Sequence, residues 1–129
     1  MYNIYLNEND KLNDNHYPLI ALLNEASNEN IIEFIENLLA GNGTGYDYSN
    51  CTLWNELDDY DKLFIPKFDG IMVENEAGEE IIVEYEVMHY YLEKLCNLIK
   101  FDSNEMQMKM LELVNAFKEK YCRQKTLEP

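Results

Sequence analysis

Among the side chains that can take part in catalysis or bind metal ions, carboxylates are the most strongly clustered in this sequence. Residues 56–86 contain eleven of them against two lysines, a local charge of −9 in a chain whose net charge is −15. Paired carboxylates can act as general acid and base, and clusters of them can bind metal ions. The chain has 25 acidic residues, so some pair falls at a suitable spacing by chance. Their abundance therefore indicates neither a glycosidase nor a metal site specifically.

Two short stretches look like fragments of ligand-binding loops. Residues 58–61, DDYD, look like part of a calcium-binding loop, yet the glycine and the closing glutamate of an EF-hand are absent. Residues 41–50, GNGTGYDYSN, are rich in glycine, but no lysine follows as a phosphate-binding loop requires, and Asp47 adds a negative charge. We therefore predict no metal site and no cofactor.

Bases and nucleophiles for catalysis are few. His16 and His89 are the two histidines, and each is more simply explained as a surface or half-buried residue than as a base. Cys51, Cys96 and Cys122 contain no CxxC pair, so reduced thiols are expected. There is no GxSxG motif. We predict that the protein is not an enzyme and has no catalytic residue; an enzyme using His89 with a carboxylate is the third-ranked hypothesis.

The same carboxylates are better explained as a surface that binds a cationic protein. Uncompensated acidity destabilises a fold through self-repulsion, and a basic partner would offset that repulsion. Charges steer association, while aromatic side chains provide anchors that exclude water. The residues predicted to form this surface are Trp54, Asp58, Asp59, Tyr60, Asp61, Glu74, Glu76, Glu79 and Glu80. The alternative is that the aromatic residues fill the core and the acidic residues form its solvated rim.

Length and charge narrow the class of protein. A chain of 129 residues, 47% of them hydrophobic and 12% aromatic, is predicted to fold as one domain, residues 1–129. Its net charge argues against nucleic acid and membrane as partners, because binding either requires basic residues that neutralise phosphates. The N-terminal sequence lacks a secretory signal, and no apolar run is long enough to span a bilayer. A cytoplasmic protein is expected, and the oligomeric state is left open.

The acidic stretch also contains the clearest strand signal. In GIMVENEAGEEIIVEY, residues 70–85, two β-branched runs flank a turn that contains Gly78. The inward-facing residues predicted from alternation are Ile71, Val73, Ile81, Val83 and Tyr85. The glutamates at positions 74, 76, 80 and 84 then share the opposite face with Met72 and Ile82. The sheet is thus predicted to be apolar inside and acidic outside.

Helices are predicted before and after this hairpin in the chain. Apolar residues recur at helical spacing in residues 19–26, 31–39, 85–100 and 103–121. Residues 51–54 are predicted to form a short strand, residues 56–61 a loop, and residues 1–16 either an edge strand or a loosely attached arm. Residues 126–129 should fray. The predicted fold class is α+β: a small antiparallel sheet centred on a β-hairpin, with two N-terminal and two C-terminal helices packed on it.

Part of the chain resembles a known family. Trp54 and Glu56 are followed by FDGIMV at residues 68–73, EIIVEYE at residues 80–86 and YYLEKLC at residues 90–96. This sequence of strand, turn, strand and helix is similar to the CdiI-type immunity proteins of bacterial contact-dependent growth inhibition, in the group whose toxins are ribonucleases. The resemblance covers residues 54–100.

The resemblance implies a non-enzymatic cytoplasmic protein that binds the C-terminal toxin domain of its cognate CdiA and blocks the active site of a ribonuclease. Such a site is basic because it holds phosphates, so an acidic inhibitor suits it. Each immunity protein of this kind is specific for its own toxin, and the predicted contact residues therefore rest on clustering in this sequence alone. The alternative function is an acidic mimic of nucleic acid that inhibits a DNA-binding enzyme.

Overall fold

A computed structural model describes residues 2–122, which contain five α-helices and a three-stranded antiparallel sheet. The helices are α1 (Tyr17–Glu29), α2 (Ile31–Leu39), α3 (Asp59–Phe64), α4 (Tyr85–Leu98) and α5 (Asn104–Phe117). The strands are β1 (Ser49–Leu53), β2 (Ile71–Asn75) and β3 (Glu80–Val83), in the order β1-β2-β3. The predicted α+β class is confirmed, and α3 is an additional helix between β1 and β2.

The hairpin of β2 and β3 follows the predicted alternation in part: Ile81 is only half-buried, and Tyr85, predicted to face inward from the second strand, is instead the first residue of α4. The fully buried residues of the hairpin are Ile71, Val73 and Val83. In the turn, Gly78 has a φ of +83°, a conformation that glycine adopts readily. The side-chain oxygen of Asn75 accepts hydrogen bonds from the N–H groups of Ala77 and Glu79, at 3.1 and 3.0 Å. These local bonds fix the register of the two strands.

One hydrophobic core joins the sheet to the helices. α1 lies across all three strands and also packs on α2, whereas α5 packs on both α2 and α4. Phe34 of α2, Tyr91 of α4 and Phe117 of α5 are among the largest fully buried side chains. Each such residue contributes about 1.5–3 kcal/mol to folding when it leaves water. No disulfide forms within residues 2–122, so apolar packing holds the described fold together.

The first residues form neither the edge strand nor the loose arm predicted for residues 1–16. Residues 2–16 contain two 3₁₀ turns, Glu8–Asp10 and Asp14–His16, and Leu6 is buried. Asn24 of α1 is the reason: its Oδ1 accepts hydrogen bonds from the N–H groups of Tyr5 and Leu6, and its Nδ2 donates to the carbonyl of Leu6 at 2.9 Å. A side chain thus satisfies the backbone groups that a neighbouring strand would have paired.

Helix boundaries differ from the prediction at α3. The predicted loop at residues 56–61 is wrong from Asp59 onward, because Asp58 is the N-cap of a helix and its Oδ1 accepts a hydrogen bond from the N–H of Asp61 at 2.8 Å. α4 begins at Tyr85 and α5 at Asn104, close to where the helical spacing predicts. Residues 126–129, predicted to fray, lie outside the described residues.

Candidate protein-binding surface

The predicted surface residues occupy two places, set by the pairing of β1 with β2. Ser49 lies opposite Asn75, and Leu53 lies opposite Ile71. The turn after β2 is therefore at one end of the sheet, and the segment after β1 is at the other. The five residues of β1 separate these ends by roughly 14 Å at about 3.4 Å per residue.

We name these two sets of residues by their position. The α3 group consists of Trp54, Asp58, Asp59, Tyr60 and Asp61. The turn group consists of Glu74, Glu76, Glu79 and Glu80. The structure brings the members of each group together but leaves the two groups at opposite ends of the sheet.

In the α3 group, three aspartates surround the start of the helix. Asp58 caps α3, Asp59 and Asp61 lie in its first turn, and all three are exposed. Tyr60 is also exposed, and its ring centroid lies 5.1 Å from that of Phe64, one turn further along. No residue of α3 is buried. These side chains therefore form a projecting surface that is both acidic and aromatic.

Trp54 connects α3 to the rest of the molecule. It is half-buried, and its ring meets the buried ring of Phe68 edge to face, with the centroids 5.5 Å apart. Nζ of Lys62, on α3, lies 5.6 Å from the centroid of the same tryptophan ring, within the range of a cation–π interaction. Trp54 thus positions α3 next to the segment that leads into β2.

In the turn group, two glutamates face each other across the hairpin. Glu74 of β2 is paired with Glu80 of β3, a directly opposed position where like charges are destabilising. Glu76 and Glu79 lie in the connecting turn, and Glu79 accepts a hydrogen bond from Nδ2 of Asn75 at 2.8 Å. This end of the sheet therefore carries four carboxylates and a repulsive pair.

None of these seven carboxylates forms a salt bridge within residues 2–122. The salt bridges of that range join lysines outside the acidic stretch to other acids. Glu56, by contrast, has an internal role: its Oε1 accepts hydrogen bonds from the N–H groups of Gly43 and Leu53, at 2.8 and 2.7 Å. The α3 and turn groups thus carry negative charge that no ion pair in the described chain compensates.

The glycine-rich segment, residues 41–50, packs closely against β1. A Cβ on Gly43 would lie 1.9 Å from the carbonyl oxygen of Cys51. Tyr46 of the same segment packs against Phe34 with ring centroids 6.4 Å apart, and burial raises the pKa of its hydroxyl strongly. Close approach of the backbones explains the glycine at position 43.

Burial is the main cause of the pKa shifts of the histidines and of Cys51. Nδ1 of His16 lies 2.9 Å from the hydroxyl of Tyr91, while Nε2 of His89 is buried without a hydrogen-bond partner among residues 2–122. Burial lowers the pKa of both histidines. Burial raises the pKa of the Cys51 thiol to about 12, so that it stays protonated at neutral pH. In the same part of the chain, no group of three or more histidine, cysteine and acidic side chains could hold a metal ion.

Leu63 is an exposed residue of α3 that the sequence-based prediction omitted. It is 76% exposed and lies three positions after Tyr60. The sequence did carry a signal: Asp58 with Asp61 three residues later has the form of a helix start. From that start, positions 60, 63 and 64 fall on one helical face.

No family model, curated protein or solved structure matches this chain. None of the helices in residues 2–122 combines the length and apolar character needed to cross a bilayer. The chemistry of the α3 and turn groups is therefore the basis for assigning a function to this protein.

Proposed function

We propose that this protein is a cytoplasmic immunity protein that binds and neutralises a cognate CdiA toxin domain with a basic, ribonuclease-type active site. The observation that carries the proposal is the set of seven surface carboxylates without an ion-pair partner in residues 2–122. Repulsion among these charges, including the opposed glutamate pair, lowers the stability of the folded protein. Binding to a cationic protein would relieve this repulsion, which explains why the charges are kept.

The proposed mechanism is binding without chemistry. A domain that cleaves RNA must hold phosphates, so its active site carries lysine and arginine. The net charge of −15 attracts such a domain over a distance and raises the rate of encounter. Once bound, the acidic surface covers the basic active site, so that the phosphates of an RNA substrate cannot bind there. Inhibition is therefore stoichiometric.

The first experiment measures binding and inhibition directly. A CdiA-type toxin gene is expected immediately upstream of the gene for this protein, and the purified C-terminal domain that it encodes is the probe. One equivalent of the wild-type protein should abolish RNA cleavage by that domain, and co-expression should restore growth. Substoichiometric protection would indicate a catalytic mode of action instead. Absence of a complex at low ionic strength would overturn the proposal.

A matched pair of charge-reversal variants tests the role of the acidic groups. Asp59→Lys combined with Glu76→Lys alters both groups and leaves the Asp58 cap in place, whereas Glu112→Lys combined with Glu119→Lys changes the charge equally at exposed positions near the C-terminal end of α5. We expect the first variant to associate more slowly and to show a weaker dependence of the rate on salt than the second. Equal association rates for the two variants would exclude the acidic groups as the interface.

A further inference from the structure

α3 presents an apolar stripe to solvent. Tyr60, Leu63 and Phe64 are 68%, 76% and 68% exposed. Residues three and four positions apart lie on the same face of a helix, so these side chains are neighbours. Because α3 buries none of its residues, the helix exposes this stripe without contributing to the core.

Carboxylates border the stripe on both sides. Successive residues of an α-helix are rotated by about 100°, so Asp59 and Asp61 project to the left and right of Tyr60. Lys62 falls on the opposite side of the helix, where it contacts the ring of Trp54. The cation therefore faces the body of the protein, and the surface that faces outward combines apolar and negatively charged side chains.

We propose that this stripe of α3, rather than the turn group, is the element that docks into the partner, and that it enters an apolar recess bordered by lysine or arginine. The inference rests on the proposed function and assigns its contact surface. Central aromatic and aliphatic side chains surrounded by charged ones have the arrangement of an interface hot spot. The bordering carboxylates match a cationic rim.

A second copy of this chain fits the stripe less well than a cationic partner does. In a symmetric dimer the same patch meets itself, so Asp59 and Asp61 of one copy would approach those of the other. The two chains, each with a net charge of −15, would also repel each other as a whole. Charge complementarity thus favours a cationic partner over self-association.

The test compares exposed apolar residues at the two ends of the sheet and on a distant helix. Leu63→Ala combined with Phe64→Ala removes two of the three apolar side chains of the stripe. Tyr48→Ala removes a tyrosine that is 61% exposed and whose carbonyl accepts a hydrogen bond from the N–H of Glu76 in the turn. Leu111→Ala removes a leucine of α5 that is 46% exposed. Calorimetric titration against the upstream-encoded toxin domain gives the affinity of each variant.

We expect the α3 variant to bind at least about thirtyfold more weakly than wild type, and each control to stay within about threefold. Hydrogen exchange of the wild-type complex provides a measurement that no substitution can disturb, and it should show new protection at residues 59–65. If Tyr48→Ala weakens binding while the α3 variant and the exchange of residues 59–65 are unaffected, the inference is overturned and the proposed function stands. If the wild-type protein does not bind the toxin domain, both are overturned.

Discussion

Glu25 of α1 and Ser49 of β1 are joined by a buried hydrogen bond, in which the serine hydroxyl donates to Oε1 at 2.5 Å. The other carboxylate oxygen accepts a hydrogen bond from the N–H of Tyr48 at 3.0 Å. α1 is thereby fastened to the end of the sheet at which the turn group lies. This carboxylate is buried and holds α1 to the sheet, whereas the carboxylates of the α3 group are exposed.

Removing this acceptor should destabilise the fold. We predict that Glu25→Ala lowers the free energy of unfolding by roughly 2–4 kcal/mol, because a buried hydroxyl and an N–H group lose their acceptor. Urea unfolding at neutral pH measures the change. Glu29→Ala, at an exposed position of the same helix, is the control and should change stability by less than about 0.5 kcal/mol. Equal effects of the two substitutions would contradict the structural role of Glu25.

Reversing one charge of the opposed glutamate pair, Glu74 and Glu80, should stabilise the fold. We predict that Glu80→Lys raises the free energy of unfolding by about 0.2–1 kcal/mol, because repulsion across the hairpin from Glu74 becomes attraction. The gain should shrink as salt is added. Glu76→Lys, in the turn, controls for the general reduction of net charge. A gain no larger than that of the control would show that the direct pair contributes nothing.

Two neighbouring glycines should respond differently to alanine. At Gly43 a Cβ would collide with the carbonyl oxygen of Cys51, whereas at Gly45 the nearest atom lies 3.7 Å away, an ordinary contact. We predict that Gly43→Ala costs more than about 2 kcal/mol, because the backbone of β1 or of the glycine-rich segment must move. Gly45→Ala should be tolerated. Thermal unfolding of the two variants checks this, and similar melting temperatures would disprove the close approach.

Stability should fall in mildly acidic solution partly because of His89. Burial, aided by Lys118 and opposed by Glu93, lowers the pKa of His89 below its ordinary value of 6.5. The unfolded chain therefore takes up a proton at higher pH than the folded one, and stability present above pH 6.5 is lost as the pH falls towards the lower folded pKa. In His89→Gln, which does not titrate, the decline over this window should be shallower. Parallel profiles of unfolding free energy against pH for wild type and variant would contradict this.

Local patterns were sufficient to predict the hairpin and the C-terminal helices. The inward positions Ile71, Val73 and Val83 follow from a period of two around a glycine turn, and both signals lie between residues 71 and 83. The stripe that includes Met88, Tyr91 and Leu95 follows from a helical period in the same way, and all three residues are buried. Both patterns depend only on residues close together in the sequence, so they can be recognised without knowing which elements contact each other in the fold.

Non-local contacts explain what the sequence did not reveal. Leu6 is buried because Asn24, eighteen residues away, pairs with its backbone, and no local pattern predicts such a bond. α3 is a different case: its six residues are too few for periodicity to stand out from a run of acids, and only the Asp58 and Asp61 spacing marks its start. The division of the acidic residues into two groups depends on the pairing of β1 with β2, whose strands are joined by a long connection. A charge count along the chain cannot anticipate that pairing.

α3 is attached to the scaffold through Trp54 and Lys62 but adds no side chain to the interior. Substitutions along its outward side should therefore have little effect on whether the protein folds. Under the proposed role of α3, partner specificity could change on this one short segment while the residues of the core stay the same.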